Sequence, residues 1–242
     1  MKFSILTIFP EMFTPLKMSI LKRAEDKGLI EIEIINIRDF SKDKHHNTDD
    51  TPFGGGAGMV MTAQPIYDAI LSVKQENSKI YYMSPRGKVF NQKLSKELSH
   101  EEHIILLCGH YEGVDRRIID EIVDMEISIG DFVLTGGEIP ACILVDCVAR
   151  LADGVLAAPE CYEEESISSG LLEYPQYTRP FEFHGVSVPE VLISGHHENI
   201  DKWRLEKSIE ITKERRPDLY SEYERSVNNE KAQSKKTSRG AK

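Results

Sequence analysis

Short apolar runs alternate with amphipathic stretches along the first 158 residues. The runs have the length of buried strands, and the stretches between them place apolar residues at helical spacing. The predicted strands are KFSILTI (2–8), IEIEIINI (30–37), KIYYM (79–83), HIILL (103–107) and MEISI (125–129), and the predicted helices cover 16–27, 64–73, 92–98, 114–122 and 138–152. Such alternation is typical of an α/β fold with a mostly parallel sheet flanked by helices.

Beyond residue 158 the alternation stops and the chain becomes polar. A glutamate run, Glu163 to Glu165, indicates a solvated linker, and two helical stretches follow it. The last residues are polar and basic, which is the composition of a disordered tail. The sequence therefore predicts a large α/β domain (1–158), an interdomain linker (159–180), a small helical C-terminal domain (181–227) and a disordered polar tail (228–242).

Composition narrows the class of protein. A hydrophobic content of 40% and a charged content of 29% are ordinary for a globular protein. The apolar run from Phe3 to Phe9 ends at Pro10 and resembles no signal peptide, and no stretch is long enough to span a bilayer. The four cysteines show no CxxC spacing, so we expect reduced thiols and a cytoplasmic location. The net charge of -10 argues against indiscriminate binding of nucleic acid but allows a local basic patch.

Three glycine-bearing segments each follow a predicted strand. They are named here loop 1 (84–87, SPRG), loop 2 (109–113, GHYEG) and loop 3 (129–137, IGDFVLTGG). Ligands of open α/β sheets bind beyond the carboxyl ends of the strands, and glycine lets a backbone approach a ligand closely. The three loops therefore predict one pocket made largely of backbone. The alternative is that they are tight turns between strand and helix.

The common catalytic motifs are absent from the sequence. It contains no P-loop, no HExxH zinc motif, no GxGxxG dinucleotide motif and no GxSxG elbow. The pairs His45-His46 and His196-His197 are adjacent in sequence, which makes convergence on one metal ion unfavourable. Neither a metal site nor a hydrolase site follows from the residues alone.

Several motifs in order do carry a resemblance. The sequence contains FPEMF (9–13), DDTPFGGGAGM (49–59), the three loops, GLLEYPQYTRP (170–180) and SGHHE (194–198). In this order and spacing they resemble the bacterial tRNA (guanine-N1)-methyltransferases, of the SPOUT superfamily of trefoil-knot methyltransferases. The resemblance implies S-adenosylmethionine as methyl donor and N1 of the guanosine at tRNA position 37 as the acceptor. It also implies a deep trefoil knot in the α/β domain and a homodimer whose active site spans both subunits.

The family pattern also implies roles for individual residues. Cofactor contacts fall on Ser84, Pro85, Gly87, Gly109, Tyr111, Glu112, Gly113, Ile129, Gly130, Leu134, Gly136 and Gly137. In loop 2, His110 takes the place of an arginine of the family pattern. The linker and the C-terminal domain are expected to complete the tRNA site, with Asp50, His197 and Arg204 as substrate contacts. The family is associated with Mg²⁺, for which this sequence offers no evident ligand cluster.

Two residues are expected to do the chemistry. Guanine N1 carries a proton that a carboxylate can accept, and the charge that then develops on O6 needs a cation or an N–H donor. The family pattern places these groups at Glu165 and Arg150, with glutamate here replacing an aspartate. Glu163 and Glu164 are alternatives for the base, and a solvated charge run or a structural ion pair of Arg150 are the non-catalytic alternatives. Action on another RNA position, or a non-enzymatic RNA-binding role, are the alternatives for the whole chain.

Overall fold

The computed structural model describes residues 1–156, 166–167 and 170–239, and for 230–239 it describes the backbone alone. The chain divides into two compact units, Met1–Ala158 and Pro159–Lys242.

A five-stranded sheet forms the centre of the first unit. Its strands are β1 (Lys2–Thr7), β2 (Glu31–Asn36), β5 (Ser78–Val89), β6 (His103–Cys108) and β7 (Met125–Ser128). They lie in the order β2-β1-β6-β5-β7, and every pair described in this sheet is parallel. A parallel sheet needs cover on both faces, which explains the nearly unbroken apolar sequence of β1 and β6. The prediction of an α/β fold with a mostly parallel sheet flanked by helices is confirmed.

Helices cover both faces of this sheet. They are α1 (Ser19–Asp26), α2 (Ala63–Val73), α3 (Gln92–Leu98), α4 (Arg116–Ile122) and α5 (Glu138–Ala149). Side chains of α1, α3 and α5 pack in one apolar cluster with Phe3 and Ile5, whereas α2 and α4 pack in a second cluster with Leu6 and Ile105. Neighbouring residues of a strand thus enter opposite cores, as the period of two requires. A two-stranded antiparallel pair, β3 (Asp49–Asp50) and β4 (Val60–Met61), lies within the polar segment 38–61.

The structure differs from the sequence prediction at two places in this unit. Residues Pro10–Lys17 form a 3-10 helix. Pro10 and Pro15 have no backbone N–H to donate to an α-helical hydrogen bond, which favours the tighter 3-10 turns. Strand β5 continues past loop 1: Met83 and Lys88 both pair with Ile127, so the four residues between them form a bulge. Loop 1 is therefore an interruption of one strand and not a strand-to-helix turn.

A buried polar cluster lies at the amino-terminal edge of the sheet. The His103 ring, only 2% exposed, lies between two serine hydroxyls, with Nε2 2.9 Å from Ser4 Oγ and Nδ1 2.8 Å from Ser78 Oγ. Burial lowers the pKa of His103, and the nearby charge of Lys2 acts in the same direction. The imidazole is thus held neutral, as a bridge across three neighbouring strands.

The second unit is helical with one hairpin. Its elements are β8 (Glu182–Phe183), β9 (Val186–Ser187), a 3-10 helix (Glu190–Ile193), α6 (His197–Arg215) and α7 (Pro217–Arg239). Thr212, which is fully buried, accepts a 2.8 Å hydrogen bond from the Leu172 N–H and donates one of 2.6 Å to the Ser208 carbonyl. This contact fixes the chain around residue 172 against α6. The backbone of α7 extends into the segment from 228 onwards, and the domain boundaries and the disorder of the tail stay predictions.

Candidate active site at the carboxyl ends of three strands

A cavity of about 310 Å³ opens where the first part of β5 ends at its bulge and beyond the carboxyl ends of β6 and β7. Residues of all three loops line it. The topology thus brings Ser84 of loop 1 and Ile129 of loop 3, which are 45 residues apart in the sequence, to the same cavity. The cofactor candidates that line it are Ser84, Pro85, Gly109, Tyr111, Glu112, Gly113, Ile129, Gly130, Leu134, Gly136 and Gly137. The size of the cavity suits a small organic ligand.

Backbone hydrogen bonds hold loops 2 and 3 together. The Gly137 N–H donates to the Gly109 carbonyl at 2.8 Å, and an antiparallel bridge joins His110 to Gly136. Loop 2 is also tied to the glycine-rich segment before β4, since the Glu112 N–H donates to the Met59 carbonyl at 2.9 Å. A site made of mutually bonded backbone is preorganised, because its donors and acceptors lose little freedom when a ligand binds.

Two glycines are required by close approach. A Cβ on Gly137 would lie 2.8 Å from Cys108 Cα and 3.0 Å from the Gly109 nitrogen, and one on Gly109 would lie 2.6 Å from the Tyr82 hydroxyl. Loop 3 can therefore lie against the end of β6 only without side chains at these positions. Since Gly137 is also the residue from which α5 begins, the same contact places the helix N-terminus at the cavity.

The walls of the cavity combine neutral and charged groups. Burial raises the pKa of the Tyr82 phenol, which lines the cavity, and, to a greater degree, that of the Cys108 thiol outside the lining, so both groups stay protonated at neutral pH. Arg116 and Glu126 form an ion pair, with 3.0 Å between Nη1 and Oε1. A buried protonated thiol is a poor nucleophile, which leaves Cys108 as a packing residue.

His110 and Glu138 form a second polar contact, which sequence reasoning missed. Glu138 is 1% exposed, and its Oε2 lies 3.8 Å from His110 Nδ1. The sequence placed Glu138 at the start of a helix, where an acidic residue needs no other explanation. Only the packing of α5 against loop 2 shows that this carboxylate is buried beside the cavity.

The other predicted site residues lie outside the cavity lining. Gly87 packs against the backbone of Glu126 and Ile127, where a side chain would overlap. Arg150 directly follows α5, and its N–H donates to the Asp146 carbonyl at 3.3 Å. Glu165, with its alternatives Glu163 and Glu164, falls outside the described residues.

The substrate candidates lie on exposed segments of the two units. Asp50 in β3 accepts a 2.7 Å hydrogen bond from the Thr51 N–H. In the second unit His197 is the first residue of α6, and the Arg204 guanidinium lies 4.9 Å from the centre of the Tyr174 ring. The role of these three residues in tRNA binding stays a prediction.

The described residues contain neither a cluster of metal ligands nor a membrane-spanning helix. No group of three or more His, Cys, Asp or Glu residues is placed there to hold a metal ion, so no residues are assigned to Mg²⁺. Within the same part of the chain, no helix combines the length and apolarity needed to cross a membrane.

Comparison with known proteins shows the family of this chain. A family described as "tRNA (Guanine-1)-methyltransferase TrmD" matches residues 1–222. The chain belongs to this family. Proteins named tRNA (guanine-N(1)-)-methyltransferase from Clostridioides difficile and Ruminiclostridium cellulolyticum are 60% and 57% identical to it over 225 residues, covering 91% of this chain and 97% of each relative. One from Clostridium perfringens is 59% identical over 221 residues, covering 91% of this chain and 93% of the relative.

The resemblance seen in the sequence is thereby confirmed. Membership of the tRNA (guanine-N1)-methyltransferase family implies a methyl donor, and the cavity offers a place for one among the described residues. Its glycine-built lining fits a flat, polar ligand that hydrogen-bonds to backbone groups.

Proposed function

We propose that this chain is a tRNA methyltransferase that transfers a methyl group from S-adenosylmethionine to N1 of guanosine 37. The observation that carries the proposal is the cavity that all three loops line, at the bulge of β5 and the carboxyl ends of β6 and β7, in a chain of this family. We propose a cytoplasmic location for the enzyme, in keeping with its tRNA substrate.

The residues of the three loops would hold the methyl donor. Ser84 and Pro85 of loop 1, Gly109 to Gly113 of loop 2 and Ile129 to Gly137 of loop 3 line one cavity, whereas Gly87 shapes loop 1 from outside the lining. When bound, S-adenosylmethionine supplies an electrophilic methyl group on its sulfonium. The contribution of the loops is positional, because a cavity of fixed backbone groups orients the donor and excludes water from it.

The proposed chemistry on the acceptor side rests on two residues. Glu165 would accept the proton of guanine N1, which makes N1 nucleophilic, and Arg150 would stabilise the negative charge that develops on O6. Arg150 directly follows α5, about 18 Å along the helix from the end at the cavity, so this role requires an active site shared between two subunits. Asp50, His197 and Arg204 would contact the tRNA.

We propose that the active enzyme is a homodimer with sites shared between subunits. Helix α5 is apolar around its circumference, and Ile139 and Ile143 remain 49% and 40% exposed within the chain. A helix with apolar residues on all sides is ordinarily buried, and a second copy of the chain would cover this face. The trefoil knot that the resemblance implies is part of the same proposal.

The test is transfer of labelled methyl groups from S-adenosylmethionine to unmodified tRNA transcripts. One transcript carries guanosine at positions 36 and 37, and its control carries adenosine at 37. Wild type is compared with Glu165→Gln, with Glu163→Gln and Glu164→Gln as matched controls in the same run. We expect transfer to the guanosine transcript only, with a loss of about 10²-fold or more in Glu165→Gln alone.

The alternatives predict different outcomes. A loss confined to Glu164→Gln would move the base by one residue and keep the function. A folded dimer that binds S-adenosylmethionine but methylates neither transcript would point to another RNA position. A folded dimer that fails to bind the donor in calorimetry would point to a non-enzymatic RNA-binding protein.

A further inference from the structure

The Nδ1 atom of His110 is buried against a buried carboxylate. Among the described residues this nitrogen has no hydrogen-bond partner, although it is shielded from solvent. Glu138 Oε2 lies 3.8 Å away, slightly too far for a hydrogen bond. The other carboxylate oxygen, Oε1, accepts a 2.9 Å hydrogen bond from the Thr7 hydroxyl. One side of Glu138 is therefore paired and the other side faces His110.

The surroundings leave His110 little freedom to turn away. Its ring makes edge contacts with Phe9 and Tyr111 at centroid distances of 4.9 Å and 5.1 Å, and the backbone N–H of His110 donates to the Met61 sulfur at 3.2 Å. A Cβ on Gly136 would lie 2.5 Å from Nδ1, so only glycine at that position lets the ring approach α5. The imidazole thus fills the space between loop 2, loop 3 and the start of α5.

A buried carboxylate with a single hydroxyl donor is poorly compensated. Burying a charge is unfavourable unless a cation or several hydrogen bonds accompany it. An imidazolium at His110 would supply both a charge and an N–H directed at Oε2. An arginine in place of His110 would supply a permanent cation there.

We infer that His110 is a positioning residue, whose imidazolium pairs with Glu138 and locks loop 2 onto the N-terminus of α5. The lock acts through Tyr111, which contacts the His110 ring, carries a positive φ of 58° and lines the cavity. The proton on Nδ1 is then linked to ligand binding in the cavity, since both need the same placement of loop 2. This inference rests on the proposed methyl donor.

The pair has few other titratable neighbours among the described residues. Glu138 faces the ring from α5, and Tyr111 and Glu112 belong to the same loop as His110. The thiols of Cys108 and Cys142 also lie close enough to Glu138 for its charge to raise their pKa values. Glu112 has its side chain against Gly58, and the segments at Phe9, Met61 and Gly136 present no titratable side chain to the ring. A pH dependence that disappears with His110 is therefore assignable to the pair.

The experiment measures the affinity of S-adenosylmethionine by calorimetry between pH 6 and pH 8.5, with the full-length protein. The variants are His110→Ala, His110→Gln, His110→Arg and Glu138→Gln, and His100→Gln, which removes an exposed histidine far from the loops, is the control. Residues in direct contact typically couple strongly enough for about tenfold changes in affinity. We expect His110→Ala and His110→Gln to weaken binding about tenfold at pH 6, and wild type to lose a similar factor as the pH rises.

His110→Arg should restore the affinity and remove this pH dependence, whereas titration of the ligand itself would persist in that variant. Combining His110→Ala with Glu138→Gln should weaken binding no more than either change alone. In turnover assays the KM for the donor should rise while kcat changes less than threefold. Urea unfolding of each variant separates loss of binding from loss of fold.

Three outcomes would overturn the inference. If the His110 variants bind the donor as wild type does, the pair does not position loop 2. If His110→Arg behaves like His110→Ala, a cation at this position has no role. If folded wild-type protein binds no S-adenosylmethionine at any pH, the proposed donor fails and this inference fails with it.

Discussion

Substitution of Gly137 by alanine tests the close approach on which the cavity depends. Its backbone lies in the right-handed helical region, with φ at -83° and ψ at -3°, so alanine introduces no strain of its own. The added methyl group would lie 2.8 Å from Cys108 Cα, 3.0 Å from the Gly109 nitrogen and 3.2 Å from Met83 Cβ. The effect is therefore one of overpacking alone.

The magnitude follows from what the methyl group meets. Two of the three atoms are backbone of the carboxyl end of β6, which lies between β1 and β5 in the sheet and cannot rotate aside. Overpacking of a well-packed site destabilises by about 1–3 kcal/mol, and relief here requires loop 3 to move away from Gly109. That movement would lengthen the 2.8 Å bond from the Gly137 N–H to the Gly109 carbonyl. We expect the free energy of unfolding to fall by about 2 kcal/mol and donor binding to weaken about tenfold or more.

The assay is urea unfolding followed by circular dichroism, together with calorimetry of S-adenosylmethionine binding. Gly28→Ala is the matched control, because Gly28 has a φ of +70° and no atom within 4 Å of a new methyl group. Its backbone strain destabilises by about 1–2 kcal/mol without touching the cavity. A Gly137→Ala protein with wild-type stability and wild-type affinity would refute the argument from close approach, and so would equal losses of affinity in both variants.

Three further predictions concern the buried groups. The lowered pKa of His103 means that, below about pH 6.5, the unfolded chain takes up a proton that the folded chain resists. The free energy of unfolding should therefore fall with decreasing pH, by at most about 1.4 kcal/mol per pH unit from this group. His103→Gln should remove that part of the pH dependence in urea titrations at pH 7.5 and 5.5. Thr212→Val leaves the Leu172 N–H without its acceptor and should destabilise the second unit by about 1–3 kcal/mol. The measurement is unfolding followed by Trp203 fluorescence. An equal loss of stability in Ser221→Ala, which removes an exposed hydrogen bond, would contradict this prediction. Cys108, whose thiol is buried and has a raised pKa, should resist maleimide at pH 8 until the protein unfolds, as judged by mass spectrometry of peptides, whereas labelling of Cys108 in the folded protein would show that the end of β6 opens.

Local pattern was sufficient for most of the strands and α-helices of the first unit. Strands β1, β2, β6 and β7 and the helices of the sheet lie within a few residues of the predicted ranges, because burial imposes a period of two or of 3.6 on the sequence itself. The 3-10 helix at Pro10–Lys17 and the hairpin at Glu182–Ser187 were missed. Neither is long enough to build up a period.

The candidate site was found in outline from sequence and in detail only from structure. Glycine loops after three strands predicted a pocket, since the carboxyl ends of parallel strands share one edge. Gly87 lies outside the cavity lining because strand β5 resumes its pairing at Lys88, a register effect that no local motif reveals. The roles of Glu165 and Arg150 remain predictions.

By itself the sequence determined the family, the α/β class and the positions of the glycine loops, because these depend on residue type and spacing along the chain. Only the tertiary structure decided which distant residues touch. It brings Gly137 into close contact with Cys108, His110 close to Glu138, and His103 between Ser4 and Ser78. The order and register of the strands set these contacts, and strand pairing is chosen by the packing of the whole sheet and its two helical layers.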